Sequence, residues 1–274
     1  MGRRIMIDTR QEAYGTFFSD DFAHHAFAAS QSAPRLKAPN FDLVADWRSA
    51  SYVGALPASI PGGLKRFHDA FVNARITGAG ILRYSDVILV KLSHEMPDLV
   101  ADPGLQQRFR EKIVALSYEI AAVNGSVKQE LDGEAVWQQY LEVPPFQMGL
   151  HGTMRLVYLA VYGAYENFLV RSLSIAHDGK RVRVTDRDFN RDFRAVLGDL
   201  IDDAWLSEEI RTARLVRHSM VHAGGRMTDQ LRRCKVPVNV QDDYLNVFPE
   251  HIASLYNALK GPALAIMKAE PFRN

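Results

Sequence analysis

Residues 213–225 read ARLVRHSMVHAGG. Three side chains in this stretch can do chemistry. Arg217 carries a permanent cation whose fork of donors suits anionic oxygens. His218 and His222 carry imidazoles, which take up or release a proton near neutral pH. All three fall in the last turns of a helix that Gly224-Gly225 should close. On a wheel of 100° per residue, Ile210, Ala213, Val216, Met220 and Val221 occupy one arc of roughly 140°. Arg217 falls inside that arc. It should therefore face a packed surface, where a guanidinium is costly unless it is paired. His222 lies about 140° round from Arg217 on the same wheel, with His218 projecting between them.

A second misplaced charge offers the pair. Glu166 interrupts the apolar run VYGAYENFLV, residues 161–170. On the residues alone, Glu166 and Arg217 form a buried ion pair that fixes the register of two helices, and His222 favours the negative end of its helix.

The elements that must position these groups are mostly helices. A long, largely apolar helix should run from about His151 to His177. A loop follows, then a helix in DFNRDFRAVLGDLI, then the Arg217 helix with Ser207 as N-cap and Glu208-Glu209 at its positive end. The segment VPVNVQDDYLNVF alternates on both sides of Asp242-Asp243 and reads as a short hairpin. Pro249 opens a final helix, which Gly261-Pro262 should kink. Upstream, Phe109, Ile113, Leu116, Ile120 and Val123 recur at helical spacing, with Asn124-Gly125 as the stop. A further helix is expected over 126–141, and one from Tyr84 to His94. QSAPRLKAPNF reads as a loop, and SASYVGALPASIPGGLKRF breaks any regular pattern. Pro144-Pro145 marks the best boundary. The expected fold is thus mainly α, a helical bundle with a short C-terminal β-hairpin. Residues 1–145 form a helical N-terminal region of unassigned role, and residues 146–274 form the domain that carries the site.

The bulk numbers bound the partners. The chain has 274 residues, 47% hydrophobic and 24% charged, with a formal net charge of +1. A large nucleic-acid-coating surface is not expected, although a local basic site fits. One cysteine, Cys234, permits no internal disulfide and fits a reducing compartment. The N-terminus lacks an apolar signal core, residue 6 is Met where a myristoylation signal needs Ser or Thr, and the most apolar run is too short to span a bilayer. A cytoplasmic location, away from membranes, is the expectation.

Arg217, the polar His218, three more residues and then His222, at a glycine-stopped helix end, resemble the R-x4-6-H motif of the HEPN superfamily. The upstream helix with Glu166 also looks like that family's first core helix. The resemblance covers roughly residues 150–270. It implies an α-helical domain of HEPN type that either cleaves RNA without metal or binds nucleotide or RNA. It implies that Arg217 stabilises a phosphate, His222 acts as acid or base, His218 orients phosphate or substrate, and Glu166 holds Arg217. Cleavage would proceed by 2′-hydroxyl attack, leaving cyclic-phosphate and 5′-hydroxyl ends. It also implies a homodimer, with two motifs facing one cleft, and by family analogy a toxin, stress or phage-defence setting with an antitoxin or regulatory protein as partner. The alternative is a non-catalytic nucleotide-binding, RNA-binding or protein-interaction module.

Other signals are weaker. There is no HExxH, no zinc-spaced Cys/His cluster, no P-loop and no GxGxxG, so neither metal nor organic cofactor is assigned. His24-His25 lack a flanking carboxylate or Cys pattern. Arg214, Arg226, Arg232, Arg233 and Lys235 form a basic fringe of candidate RNA contacts around the motif. Arg187, Arg191 and Arg194 alternate with acids and read as a solvated helix face.

Overall fold

The computed structural model describes residues 6–76, 78–95, 102–126, 131–185 and 187–273. Among them the chain is mainly α-helical, with one two-stranded antiparallel hairpin. The helices are α1 (Asp20–Ser32), α2 (Lys37–Ile76), α3 (Gly78–Glu95), α4 (Pro103–Ser126), α5 (Gly133–Leu141), α6 (Pro144–Ala176), α7 (Phe189–Leu197), α8 (Glu208–His222), the single turn α9 (Asp229–Arg232) and α10 (Pro249–Met267). Strands β1 (Asn239–Gln241) and β2 (Tyr244–Asn246) lie between α9 and α10.

Two compact units result, and they do not divide at residue 145. One joins Met1–Ala58 to Gln139–Asn274, and the other is Ser59–Gln138. Pro144-Pro145 is no linker. The two prolines are the first residues of α6, where a missing N–H costs nothing because the first turn has no acceptor for it. The expected loop before α2 shrinks to one 3-10 turn, Pro34–Leu36. Nor does the Pro/Gly-rich stretch around Pro57 and Pro61 break the helix: α2 runs through it. A proline removes one helical donor, and the bonds on either side can still continue the spiral. Of the helix expected over 126–141, residues 127–130 lie outside the described residues, and Gly133–Leu141 is helical. The hairpin forms as expected, with Asp242 and Asp243 both at positive φ (50° and 67°) in the turn that suits the strand twist.

The core of the first unit is built around α6. Leu150, Val157, Tyr158, Val161, Tyr162, Tyr165, Phe168, Leu169 and Leu173 are buried around its circumference, so this helix is wrapped by others rather than amphipathic. Helix α10 packs on it through Ile252, Leu255, Tyr256 and Leu259, and α8 through Ile210, Ala213 and Val216. Each of the larger aliphatic side chains here contributes about 1.5–3 kcal/mol when fully buried. The N-terminal segment belongs to the same core. Trp47 is fully buried, and its Nε1–H donates to the Val161 carbonyl of α6 at 2.9 Å. Its ring packs 5.0 Å from Phe22 and 5.2 Å from Tyr256. The Ser19 N–H donates to Tyr256 Oη at 3.2 Å.

In the second unit α3 packs against α4, and Arg110 of α4 pairs with Asp86 of α3 at 2.9 Å. The apolar spacing in α4 does not produce a closed face. Phe109 is 37% exposed and Leu116 54%. The side chains of Ile120 and Val123 lie outside the described residues. No helix among the described residues is long and apolar enough to cross a membrane.

Candidate functional site

Helix α8 starts and stops where its sequence dictates. The Ser207 hydroxyl accepts from the Ile210 N–H at 3.5 Å, and Glu208 and Glu209 occupy the positive first turn. At the other end Gly224 and Gly225 take positive φ, 61° and 81°, a conformation that costs glycine nothing. The Gly225 N–H then donates back to the Ser219 carbonyl at 2.9 Å. The hairpin fastens this end: the Leu245 N–H donates to the Gly225 carbonyl at 2.8 Å, and the Met227 N–H to the Asp243 carbonyl at 2.8 Å. The turn that follows His222 is therefore held by β2 as well as by its own cap.

Glu166 and Arg217 meet. Oε1 of Glu166 lies 3.6 Å from Nη2 of Arg217. The pair is not fully buried: the side chains are 16% and 33% exposed, respectively. At 3.6 Å the contact is an ion pair rather than a hydrogen bond. Among the described residues no acceptor takes a hydrogen bond from the Arg217 guanidinium. Its other neighbour is the face of Tyr162, with the guanidinium carbon 6.0 Å from the ring centre. The Tyr162 hydroxyl is buried without a hydrogen-bond partner. Burial pushes its pKa well above the ordinary range, Arg214 and Arg217 oppose the shift, and Glu166 adds to it.

His218 and His222 stand on the exposed side of the same helix, with ring centres 4.7 Å apart and planes inclined at 45°. The wheel reading needs one correction here. Val221, placed on the packed arc, is 51% exposed, because the buried side extends instead past Val216 to Thr212 and Ser219 and leaves Arg217 and Val221 towards its opposite edge. The site is an open helix surface in the single chain. A cavity of about 20 Å³ does lie against α8, but it is lined by Tyr158, Glu209, Ile210, Ala213 and His251 and includes none of Arg217, His218 or His222.

The basic fringe divides. Arg214 lays its guanidinium 4.1 Å above the buried Trp205 ring, a cation–π contact. Arg226 donates through Nε to Tyr244 Oη at 2.9 Å. Arg232 forms an ion pair with Asp243. Arg233 and Lys235 are exposed. On α7, Arg191 pairs with Asp188 and Asp192, and Arg194 with Asp199 and Asp202, so those arginines are already neutralised by acids. Tyr158, Tyr162 and Tyr165 are buried and form no base-stacking platform. No group of three metal-ligating side chains occurs among the described residues.

One cation escaped the sequence reading. Arg155 of α6 reaches the far end of α8. Its Nη2 lies 3.5 Å from the Met220 carbonyl and against Gly225. Arg155 and Glu166 are eleven residues apart, three helical turns, and so share one side of α6. That spacing was legible. What was not legible is that α8 runs antiparallel along the same side, so that Glu166 meets its middle and Arg155 its end.

No protein-family model matches the chain, and no curated protein or solved structure shows significant similarity to it.

Proposed function

We propose that this protein is a metal-independent endoribonuclease of HEPN type, acting on RNA through the α8 site. The carrying observation is Arg217, paired with Glu166 at 3.6 Å yet one-third exposed, with donors left for an anion, five residues before His222 on the same helix. In this reading the 2′-hydroxyl oxygen attacks the adjacent phosphorus, the bond to the 5′-oxygen breaks, and 2′,3′-cyclic phosphate and 5′-hydroxyl ends result. One imidazole takes the 2′-hydroxyl proton and another returns a proton to the leaving oxygen. Arg217 stabilises the charge that gathers on the phosphorane oxygens. His218 orients the phosphate, and Glu166 holds the guanidinium. Arg214, Arg226, Arg233 and Lys235 line the approach of the strand.

Each chain supplies one such histidine in the motif, so the reading includes a homodimer that sets two motifs face to face. The exposed Val221 of α8 (51%), next to His222, supports it, since an apolar side chain beside a polar site suits a contact surface. A cytoplasmic toxin or defence role, with an antitoxin or other regulatory protein as partner, belongs to the same reading by family analogy alone.

The open geometry of the single chain favours a second reading, a non-catalytic module that binds a nucleotide or RNA through Arg217. The experiment is RNA cleavage in EDTA by wild type, His222→Ala and Arg217→Ala, with the product ends mapped. Cyclic-phosphate ends in wild type, and a rate lower by about 10²–10⁴ in His222→Ala, are expected. RNA binding without cleavage selects the second reading.

A further inference from the structure

His218 and His222 are one helical turn apart and project to the same side of α8. Their ring centres are 4.7 Å apart. Both are exposed, and neither imidazole hydrogen-bonds a protein group among the described residues. Two imidazole nitrogens that share one ion, each at about 2.0–2.1 Å, stand about 3 Å apart. Ring centres 4.7 Å apart leave the two imidazoles close enough for side-chain rotation to bring one nitrogen of each to that separation. The same i, i+4 spacing brings two helical histidines onto zinc in metalloproteases. Imidazole ligands select zinc, nickel and copper over magnesium and calcium. The last turn of α8 adds the negative end of a helix, which favours a cation. Against it stand the charges of Arg214, Arg226 and Arg155, the last already 3.5 Å from the Met220 carbonyl, while that of Arg217 is offset by Glu166.

We propose that His218 and His222 chelate one divalent ion of the zinc, nickel or copper class, and that the ion inhibits by occupying His222. Two protein nitrogens fill two coordination positions and water fills the others, so the ion is exchangeable. The inhibitory half rests on the proposed ribonuclease reading; the chelate does not.

The full chain is titrated calorimetrically with Zn²⁺ and Ni²⁺ at neutral pH. The same titration is run on His218→Ala, His222→Ala and a His24→Ala/His25→Ala control. One ion should bind wild type and the control alike, and either α8 variant should bind about tenfold or more weakly, since it retains one ligand of two. Both variants alter exposed side chains, so the fold persists. With Cu²⁺, electron paramagnetic resonance should show two imidazole nitrogens in wild type and one in each variant. Zn²⁺ should also slow RNA cleavage by wild type, with EDTA restoring the rate. Unchanged affinity in both α8 variants overturns the chelate. A chelate in a protein that leaves RNA intact when metal-free upholds the site and defeats the ribonuclease reading. A chelate whose saturation leaves cleavage unslowed overturns the inhibitory half and removes His222 as the acid or base.

Discussion

Arg155 and Gly225 fit against one another at the end of α8: a β-carbon on Gly225 would stand 2.9 Å from Nη2 of Arg155. Gly225 also holds φ at 81°. Both facts act on Gly225→Ala, with different weight. The arginine tip can swing aside, at the loss of its contact with Met220, whereas the left-handed backbone cannot be avoided. Gly225→Ala should therefore destabilise by about 1–2 kcal/mol, mostly from the backbone. In an Arg155→Ala background the same change should cost a few tenths of a kcal/mol less, a coupling that thermal or urea denaturation can read. Equal increments in the two backgrounds would show that the guanidinium does not rest on the glycine.

The Glu166–Arg217 pair gives a split between stability and activity. Because Arg217 is one-third exposed, Glu166→Gln should cost only about 1 kcal/mol of stability. If the ribonuclease reading holds, Arg217→Lys should be nearly as impaired in RNA cleavage as Arg217→Ala, because a point charge does not replace a fork of donors. A Lys variant with wild-type kcat would mean that charge alone is needed there.

His251 makes the first unit sensitive to acid. Its Nδ1 accepts the Phe248 N–H at 2.9 Å and caps α10. Burial lowers its pKa below the usual value of 6.5, with Glu250 pulling weakly the other way. The unfolded chain therefore binds more protons than the native one just below pH 6.5, and stability rises with pH through that window. The contribution is complete above the unfolded pKa and falls away as the pH drops towards the folded one. Protonation would also place a hydrogen on the nitrogen that must accept. His251→Gln should flatten the difference in urea-denaturation free energy between pH 5 and 7.5. An unaltered slope would assign the acid sensitivity to other groups.

A fragment of residues 146–274 should not fold cooperatively. It lacks Trp47 and Phe22, which cover Tyr256, and it leaves the Val161 face of α6 bare. Circular dichroism should show helix without a sharp melt, and the full chain should melt cooperatively. A sharp melt for the fragment would restore residue 145 as a folding boundary.

The residues carried some parts of this arrangement and hid others, for physical reasons. The Arg217 helix was legible because its signals are local: a serine cap, two acids, a periodic arc and two glycines. The hairpin was legible from its alternation and turn. The Glu166–Arg217 pairing was legible because two isolated charges in apolar surroundings need one another. The partition into units was not, because a proline pair reads alike as a linker and as a helix start. Nor could the passage of α2 through Pro57 and Pro61 be seen, since helix continuity there rests on neighbours rather than on propensity. The reach of Arg155 to the end of α8 was invisible for a related reason: the group it meets there is a backbone carbonyl, which has no sequence signature.

The bond between Ser19 and Tyr256 spans 237 positions of the chain. Ser59–Gln138, by contrast, is a contiguous unit. During synthesis the middle of the polypeptide can close on itself while the segment that precedes it still waits. The first 58 residues can meet α6 earlier, but they complete their contacts only after α10 has been made, because Tyr256 belongs to that helix. Until then the faces of Trp47 and Phe22 that Tyr256 covers stay open to the solvent and to other chains. Closure over so long a separation is slow. Helix α8, which packs on α6 and α10, thus gains its full support only once α10 has been made.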